Sequence, residues 1–517
     1  MSEHNDPKKE NNTIGRRDWL KVFASIPIFG AFGLSVYEKW NTAKEKKQAI
    51  LNELGLNIKQ TPAANIQTDK NNNLIRIGII GFGARGEYVA RQLGYAMPDW
   101  IEQQKKENKL VDWLQQEDLN VAITGICDVF DLHAEKGVEA SQSEFRSQMI
   151  KAKRYKNHHE LLASSDIDAV IVTTPDFHHA QMTIDAANAG KHVYCEKCMT
   201  RTEQEVYNVE KAIKDNDVVY QLGHQYHQNS AFHQARELIN KNILGKVTLV
   251  EATTNRNSTW GAWIRHKTAD GKLKPGNPQN IDWKMWLGDA PQVPFSLDRY
   301  YNWTKWWDYA TGLCGQLMSH EVDVANQLLG LGIPKSCAAS GGIYYHKDNR
   351  EIPDTFHAVF EYPDKDLSFV YSASLANDRD RGRVFMGHDA SMKLGDELEL
   401  SIDPGSTQFK NQIQQGLFDV SRPAITFRSG RDKVDAVTSA TEKYYASRGL
   451  THTYRDGKKL DTTFLHLQEW LDGIRNGSAV SVPVDKGVEV TIACHMATKS
   501  YREKRKVYWD PDKRRII

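Results

Sequence analysis

The 517-residue sequence predicts an α/β protein, on three observations. Short β-branched runs recur between Ile75 and Leu222, and each ends in glycine or polar residues. Stretches with apolar residues three and four apart separate them. Farther on, from Ser336 to Ile402, the runs alternate apolar and polar residues. The first pattern is that of an open parallel sheet with its ligands at the strand ends. With 40% hydrophobic and 26% charged residues the chain has material for a core, which excludes wholesale disorder. Lys plus Arg number 67 against 66 Asp plus Glu, so no global basic field exists to draw the chain onto nucleic acid. The six cysteines are scattered and lack disulfide-scaffold or zinc spacing.

At the N-terminus, Arg16-Arg17 precede an apolar run from Val22 to Val36. At about 15 residues it is shorter than the ~20 that span a bilayer, and Pro27, Gly30 and Gly33 interrupt it. Cationic head followed by apolar core is the order of an export signal, and the arginine pair resembles a twin-arginine signal. Residues 1–40 are read as this signal and 41–73 as a linker, with a charged helix from Trp40 to Leu54. The expectation is a periplasmic protein, delivered by the twin-arginine machinery and tethered to the inner membrane if the signal is not cleaved.

The folded part begins near Leu74. A strand, Leu74 to Ile80, runs into Gly81-Phe82-Gly83-Ala84-Arg85-Gly86, and a helix follows from Glu87. Strand, GxGxxG and helix together are the signature of a dinucleotide-binding Rossmann unit. Gly81 permits the tight turn, Gly83 the approach of a pyrophosphate, and Gly86 the close packing of helix on strand. The second strand, Val121 to Cys127, ends at Asp128, a carboxylate suited to both ribose hydroxyls and hostile to a 2′-phosphate, which favours NAD. Asp128 comes about twice as far along as the usual ~20 residues, and Pro98 to Asn120 reads as an inserted surface helix or two. Three more strands, Ala169 to Thr174, His192 to Cys195 and Val218 to Leu222, end in Pro175-Asp176-Phe177-His178-His179, Glu196-Lys197-Cys198 and Gly223-His224-Gln225.

GFGARG, the CDV at Cys127 to Val129, TTPDFHHA at Thr173, YCEKCMT at Tyr194, LGHQ at Leu222 and GQLMSHEVDVANQLLG at Gly315 occur in this order. Together they resemble the Gfo/Idh/MocA oxidoreductase family from Leu74 to the C-terminus. The resemblance implies a Rossmann domain, 74–224, and a C-terminal α/β domain, 225–517, with a large, mostly antiparallel sheet. It implies NAD(P)-linked oxidation or reduction of a sugar or cyclitol carbinol, with a branch of NAD-dependent glycosidases. It places Gly81, Phe82, Gly83, Arg85, Gly86, Asp128, Thr174, Pro175, His179, Glu196, Lys197 and Gln225 at the dinucleotide, and Lys197 on the catalytic lysine. Exposed sheet faces in this family often pair, so a homo-oligomer is expected.

The chemistry asks for such a lysine in its own right, because hydride loss from a carbinol carbon requires the hydroxyl proton to leave. A lysine partly desolvated at a strand end has its pKa drawn toward the working range. His320 is the second catalytic candidate. Four residues before it the family often has Asp, whereas this chain has Gln316; and where the family has Pro after the lysine, this chain has Cys198. Asp308 or His224 is available to replace the missing acid. The Cys195/Cys198 pair lacks a redox context, and His224, His227 and His233 lack evident carboxylate partners, so no metal is expected.

Seven of the 13 tryptophans fall between Trp260 and Trp307, in a Pro- and Gly-rich excursion of the kind that serves a site. Trp303, Trp306 and Trp307, just before His320, are the expected sugar contacts, with His224, Asp308 and Gln316 beside them. Helices are expected at Thr463 to Ile474 and Val488 to Lys499; Pro404 to Asp461 reads as an irregular insertion and Arg502 to Arg515 as a solvated basic tail. Three functions follow in order: a periplasmic NAD-dependent oxidoreductase on a sugar or glycoside, a glycosidase that recycles NAD within each turnover, and a non-catalytic sugar-binding protein.

Overall fold

The computed structural model describes residues 45–56, 73–146, 148–268, 270–379, 381–395, 397–428, 450–455 and 457–517. The twin-arginine segment lies outside the described residues, as does the linker apart from 45–56 and 73; residues 45–53 are helical. Among the described residues no helix is long and apolar enough to cross a membrane.

Six strands form the first sheet: β1 (Ile75–Ile80), β2 (Val121–Cys127), β3 (Lys153–Arg154), β4 (Ala169–Val172), β5 (His192–Cys195) and β6 (Tyr220–Leu222). Their order is β3-β2-β1-β4-β5-β6 and every neighbour pairs in parallel. All residues of β2 and β4 are buried, which is why these strands read as continuous apolar runs rather than alternations. Helices α1 (Ala84–Gln92) and α2 (Asp176–Asn188) follow β1 and β4. Strand order reverses between β1 and β4, and a crevice for ligand opens beyond their carboxyl ends. Pro98–Lys106 and Leu110–Leu114 are short helices, as the insertion after α1 predicts.

The second sheet has ten strands. In chain order they are β7 (Val247–Asn255), β8 (Ser336–Gly342), β9 (Thr355–Tyr362), β10 (Leu367–Ser374), β11 (Arg383–Gly387), β12 (Ala390–Leu394), β13 (Glu397–Ile402), β14 (Ile425–Arg428), β17 (Val507–Asp510) and β18 (Arg515–Ile516). A separate hairpin pairs β15 (His452–Arg455) with β16 (Lys458–Asp461). The sheet order is β14-β13-β12-β11-β7-β10-β9-β8-β17-β18, antiparallel except where β7 meets β10. Helix α3 (Ser230–Asn240) packs on β12, β13 and β14, and a C-terminal helix, Val484–Glu503, packs on β8. The opposite face is open: Phe356, Ala358 and Phe360 of β9 are buried while His357 and Val359 are exposed.

Three further helices bear on the core and the site: α4 (Ser319–Leu329), α5 (Thr462–Asn476) and α6 (Val484–Glu503). Helix α5 reaches back across the division at residue 224. Its Phe464, Leu465, Leu467, Trp470 and Leu471 share one buried cluster with Ile75, Ile77 and Ile79 of β1 and Tyr194 of β5. Helix α5 thus completes the core of the N-terminal sheet. Two other expectations change. The insertion Pro404 to Asp461 contains β14, the β15–β16 hairpin and a helical turn at Lys410–Gln414. The basic tail carries β17 and β18, with Val507 and Trp509 buried between charged neighbours. A four-residue strand with only two core residues leaves too little pattern to read. By chain contacts, residues 45–56 and Phe409–Asp419 make a small unit of their own, where Lys46 Nζ donates to the Gly416 carbonyl at 2.7 Å.

Trp470 is fully buried with its ring 5.8 Å from that of Tyr194. Trp470→Ala is expected to lower unfolding free energy by about 3–5 kcal/mol, read in urea, and to loosen the N-terminal sheet although it lies at the far end of the chain. Loss of β7–β14 alone, with protection of β1 amides unchanged, would contradict the shared core.

Candidate active site

The turn after β1 is built as the glycine motif requires. Gly81 has φ +91, and a Cβ on Gly86 would lie 2.2 Å from the Gly81 carbonyl oxygen. At Gly83 an added Cβ would meet only the His133 ring, 3.9 Å away, so the backbone there is open to a pyrophosphate. Asp128 closes the turn from β2: its carboxylate accepts from the Phe82 amide at 2.6 Å and the Phe130 amide at 2.8 Å. Burial raises its pKa against the help of those amides and of His133. Each oxygen keeps a further lone pair, so the carboxylate can still receive ribose hydroxyls. These residues fit NAD.

Two residues expected at the dinucleotide are spent on the scaffold instead. Phe82 is buried in the core cluster, so only its backbone belongs to the turn. The His179 ring lies between two carbonyls, Nδ1 2.6 Å from Cys198 O and Nε2 2.7 Å from Thr174 O, and so ties the end of β4 to the loop after β5. Pro175 caps α2, and Thr174 packs under Gly81. Arg85, from the glycine turn, pairs with Glu196 at 2.6 Å. Gln225 is buried, and its Oε1 has no hydrogen-bond partner among the described residues.

Lys197 is half-buried at the end of β5. Its Nζ donates to the Gln316 carbonyl at 2.9 Å and to Gln316 Oε1 at 3.4 Å. Burial pulls its pKa down, opposed chiefly by Asp176. Gln316 sits in a π-helical turn, Cys314–Met318, that leads into α4. A Cβ on Gly315 would lie 1.8 Å from Thr311 Oγ1 and 2.9 Å from Cys198 Cβ, so only glycine lets this turn touch the lysine loop. Gln316 Nε2 in turn donates to both oxygens of Asp176, at 2.7 Å each. Gln316 is therefore not a free substrate contact. The acid absent at 316 stands one residue behind it as Asp176, which sequence reasoning passed over although it lies inside the TTPDFHHA motif. Asp308 pairs with Arg299 at 3.7 Å.

His320 opens α4. Its ring stacks on Tyr226 at 4.7 Å and meets His224 edge-on at 5.1 Å. Burial drives its pKa well down, helped by the charges of Lys197, Arg85 and Arg383, and pulls His224 to about 4. Both rings are thus neutral donors and acceptors. Both nitrogens of His224 and Nδ1 of His320 have no hydrogen-bond partner among the described residues. Behind them Asp323 faces His227 Nε2 at 2.6 Å and His224 Nδ1 at 3.6 Å. The Arg383 guanidinium, paired with Glu321, lies over the Tyr226 ring at 5.3 Å and holds the platform on which His320 rests.

The tryptophans serve packing more than expected. Trp306 is buried, with Arg299 and Lys305 over its ring, so it is not an open sugar platform. Trp307 packs beside Tyr501 and under Arg502. Trp303 lies half-buried against a cluster of Phe130, Ile281, Trp286, Tyr300 and Tyr309. That cluster clamps the excursion to the loop after Asp128: Asp131 N donates to Asn280 O at 2.9 Å and Asp282 N to Val129 O at 2.8 Å.

Comparison with known proteins agrees with this geometry. An oxidoreductase family with an NAD-binding Rossmann fold matches residues 75–224, and the C-terminal α/β domain of the same family matches 276–508. An uncharacterized oxidoreductase of Streptococcus pneumoniae is 32% identical over 117 residues, 23% of this chain and 32% of that protein. The NADP(+)-dependent scyllo-inositol 2-dehydrogenase of Bacillus subtilis is 23% identical over 385 residues, 74% of this chain and 90% of that protein. The chain thus spans from a third to nine-tenths of these relatives. A levoglucosan dehydrogenase solved with NADH and levoglucosan shares the fold, with TM-score 0.58 and 17% identity over 84% of this chain and 99% of that one.

The buried histidines set an acid limit. His178, His224, His233 and His495 are each drawn to about 4 by burial, from an ordinary value of 6.5. Their folded pKa lies below the unfolded one, so protonation favours unfolding; the stability they contribute is complete above pH ~6.5 and is lost as pH falls toward 4. Melting temperature is expected to drop across that window and to drop less in His224→Gln. Equal slopes in the two proteins would contradict a neutral His224.

Proposed function

The chain belongs to the Gfo/Idh/MocA family of oxidoreductases, and on that premise we propose that it is an NAD-dependent oxidoreductase acting on a carbinol of a sugar or glycoside. The observation that carries this reading is the convergence of Lys197 with His320 and His224, whose buried ring nitrogens lack hydrogen-bond partners among the described residues, beside a glycine turn suited to NAD. NAD, when bound, supplies the hydride acceptor. The chain's own part is the proton and the placement. Lys197, in its deprotonated form, receives the hydroxyl proton on Nζ as the carbon–oxygen double bond forms, and returns it in the opposite direction. His320 and His224, both neutral, orient neighbouring hydroxyls as donor or acceptor without adding charge.

A second reading is a glycosidase that oxidises the sugar, eliminates the aglycone, adds water and reduces again. What favours it is the clamp of the tryptophan-rich excursion on the loop after Asp128, which suits a cofactor kept through every turnover. The expectation from Arg16-Arg17 and the apolar run is export of the folded protein to the periplasm, where a retained cofactor has most value. The open sheet face supports a homo-oligomer.

The test is purification from the periplasmic fraction, denaturation to release NAD, and incubation with a panel of glycosides and cyclitols. A keto-sugar product supports the oxidoreductase and a free sugar the glycosidase. Lys197→Ala is expected to lower turnover by about 10²–10⁴-fold while the released NAD is unchanged. Full activity in that variant, or no dinucleotide binding, overturns the enzyme reading and leaves a sugar-binding protein. Cytoplasmic retention of an Arg16→Lys, Arg17→Lys variant, and a mass in light scattering above 58.8 kDa, are the expected outcomes for location and assembly.

A further inference from the structure

The strand-end lysine has an unusual neighbour. A neutral amine has two N–H bonds and one lone pair, and Gln316 offers Lys197 two acceptors, its carbonyl at 2.9 Å and its Oε1 at 3.4 Å. With both N–H groups so engaged, the lone pair is left pointing away from Gln316. This works only if the amide presents oxygen to the lysine. Its other end faces Asp176, whose two oxygens each lie 2.7 Å from Nε2 and can only accept. A flipped amide would set oxygen against carboxylate and NH₂ against amine. Asp176, only 1% exposed, is held in turn by the Thr311 amide at 3.3 Å and the Thr311 hydroxyl at 3.0 Å. Its placement is thus fixed from both domains.

We propose that Asp176 and Gln316 are positioning residues for Lys197: the carboxylate fixes the orientation of the amide, and the amide aims the lysine lone pair at the substrate hydroxyl. An acid at 316 would place a full negative charge beside the amine and favour the ammonium. The amide aims the group without that charge, and so keeps Lys197 a base. This rests on the role of Lys197 proposed above. The other groups facing Lys197 are Glu196 and Cys198 on its own loop, Arg256 after β7, His224 after β6, His320 on α4 and Cys494 on α6. Of these groups and Asp176, Asp176 contributes the largest attraction.

The experiment follows the Lys197 side chain directly, in full-length protein labelled with ¹³C at lysine Cε, with and without added NAD. The resonance is identified by its loss in Lys197→Arg. Gln316→Glu is expected to move the Lys197 titration to higher pH, and Asp176→Asn to lower pH. On a substrate found in the panel above, Gln316→Leu and Asp176→Asn are expected to lower kcat on the order of 10²-fold with KM within about twofold, and the Lys197-linked limb of the pH–rate profile to move as the resonance does. Asp176→Glu, which keeps the carboxylate, is expected to recover part of the rate. If Asp176→Asn fails to fold, Gln316→Glu reads the same coupling. An unmoved Lys197 titration in Gln316→Glu, with unchanged kcat in Gln316→Leu, overturns the proposal. Undiminished turnover in Lys197→Ala would overturn the function reading instead, and the resonance shifts would still decide the coupling.

Discussion

A buried carboxylate that lacks hydrogen bonds is among the costliest things a protein can contain, and Asp176 is buried with almost no exposure. It begins the helix after β4, in the first sheet, yet its partners come from Thr311 and Gln316, which precede α4. Satisfying one anion therefore fixes how the two halves of the site meet. The π-helical turn at Cys314–Met318 and the small residue at 315 are what let that meeting occur at hydrogen-bond distance. Lys197 then finds its place by what remains unused on the Gln316 amide.

Burial also decides the character of the histidines. Isolated in water, His224 and His320 would carry charge over part of the physiological range; inside, beside Lys197, Arg85 and Arg383, the charged form is too expensive. The polar surface presented to a ligand is consequently rich in hydrogen-bonding groups and poor in net charge. That matches a polyhydroxylated, uncharged molecule better than an acid or a phosphate. The positive charge of Arg383, matched by Glu321, stands behind the Tyr226 ring rather than in front of it.

The parallel sheet was legible because its strands are buried on both faces and end in residues that need a reason to be there. GxGxxG at Gly81, Asp128 after β2 and Lys197 after β5 all stand at the ligand edge for that reason. The alternation in β9 and β10 was equally plain. What could not be read was anything depending on distant chain. Strand β7 lies in the middle of the second sheet beside a partner more than a hundred residues later. The tryptophans drew attention by number, but the burial of Trp306 and the cations over its ring are contacts that no spacing announces. Asp176 was in view inside a recognised motif, yet its role needs Gln316, 140 residues away.

The same distance governs how the molecule comes into being. Helix α5, from near the end of the chain, fills the core beneath β1, the first strand to be made. During synthesis the first sheet would wait, its apolar face bare, until nearly the whole polypeptide had left the ribosome. Completion of the first sheet's core requires closure of that long loop before the contacts that reward it. Removing α5 would therefore strip the first sheet of part of its core as surely as a cut through its first strand.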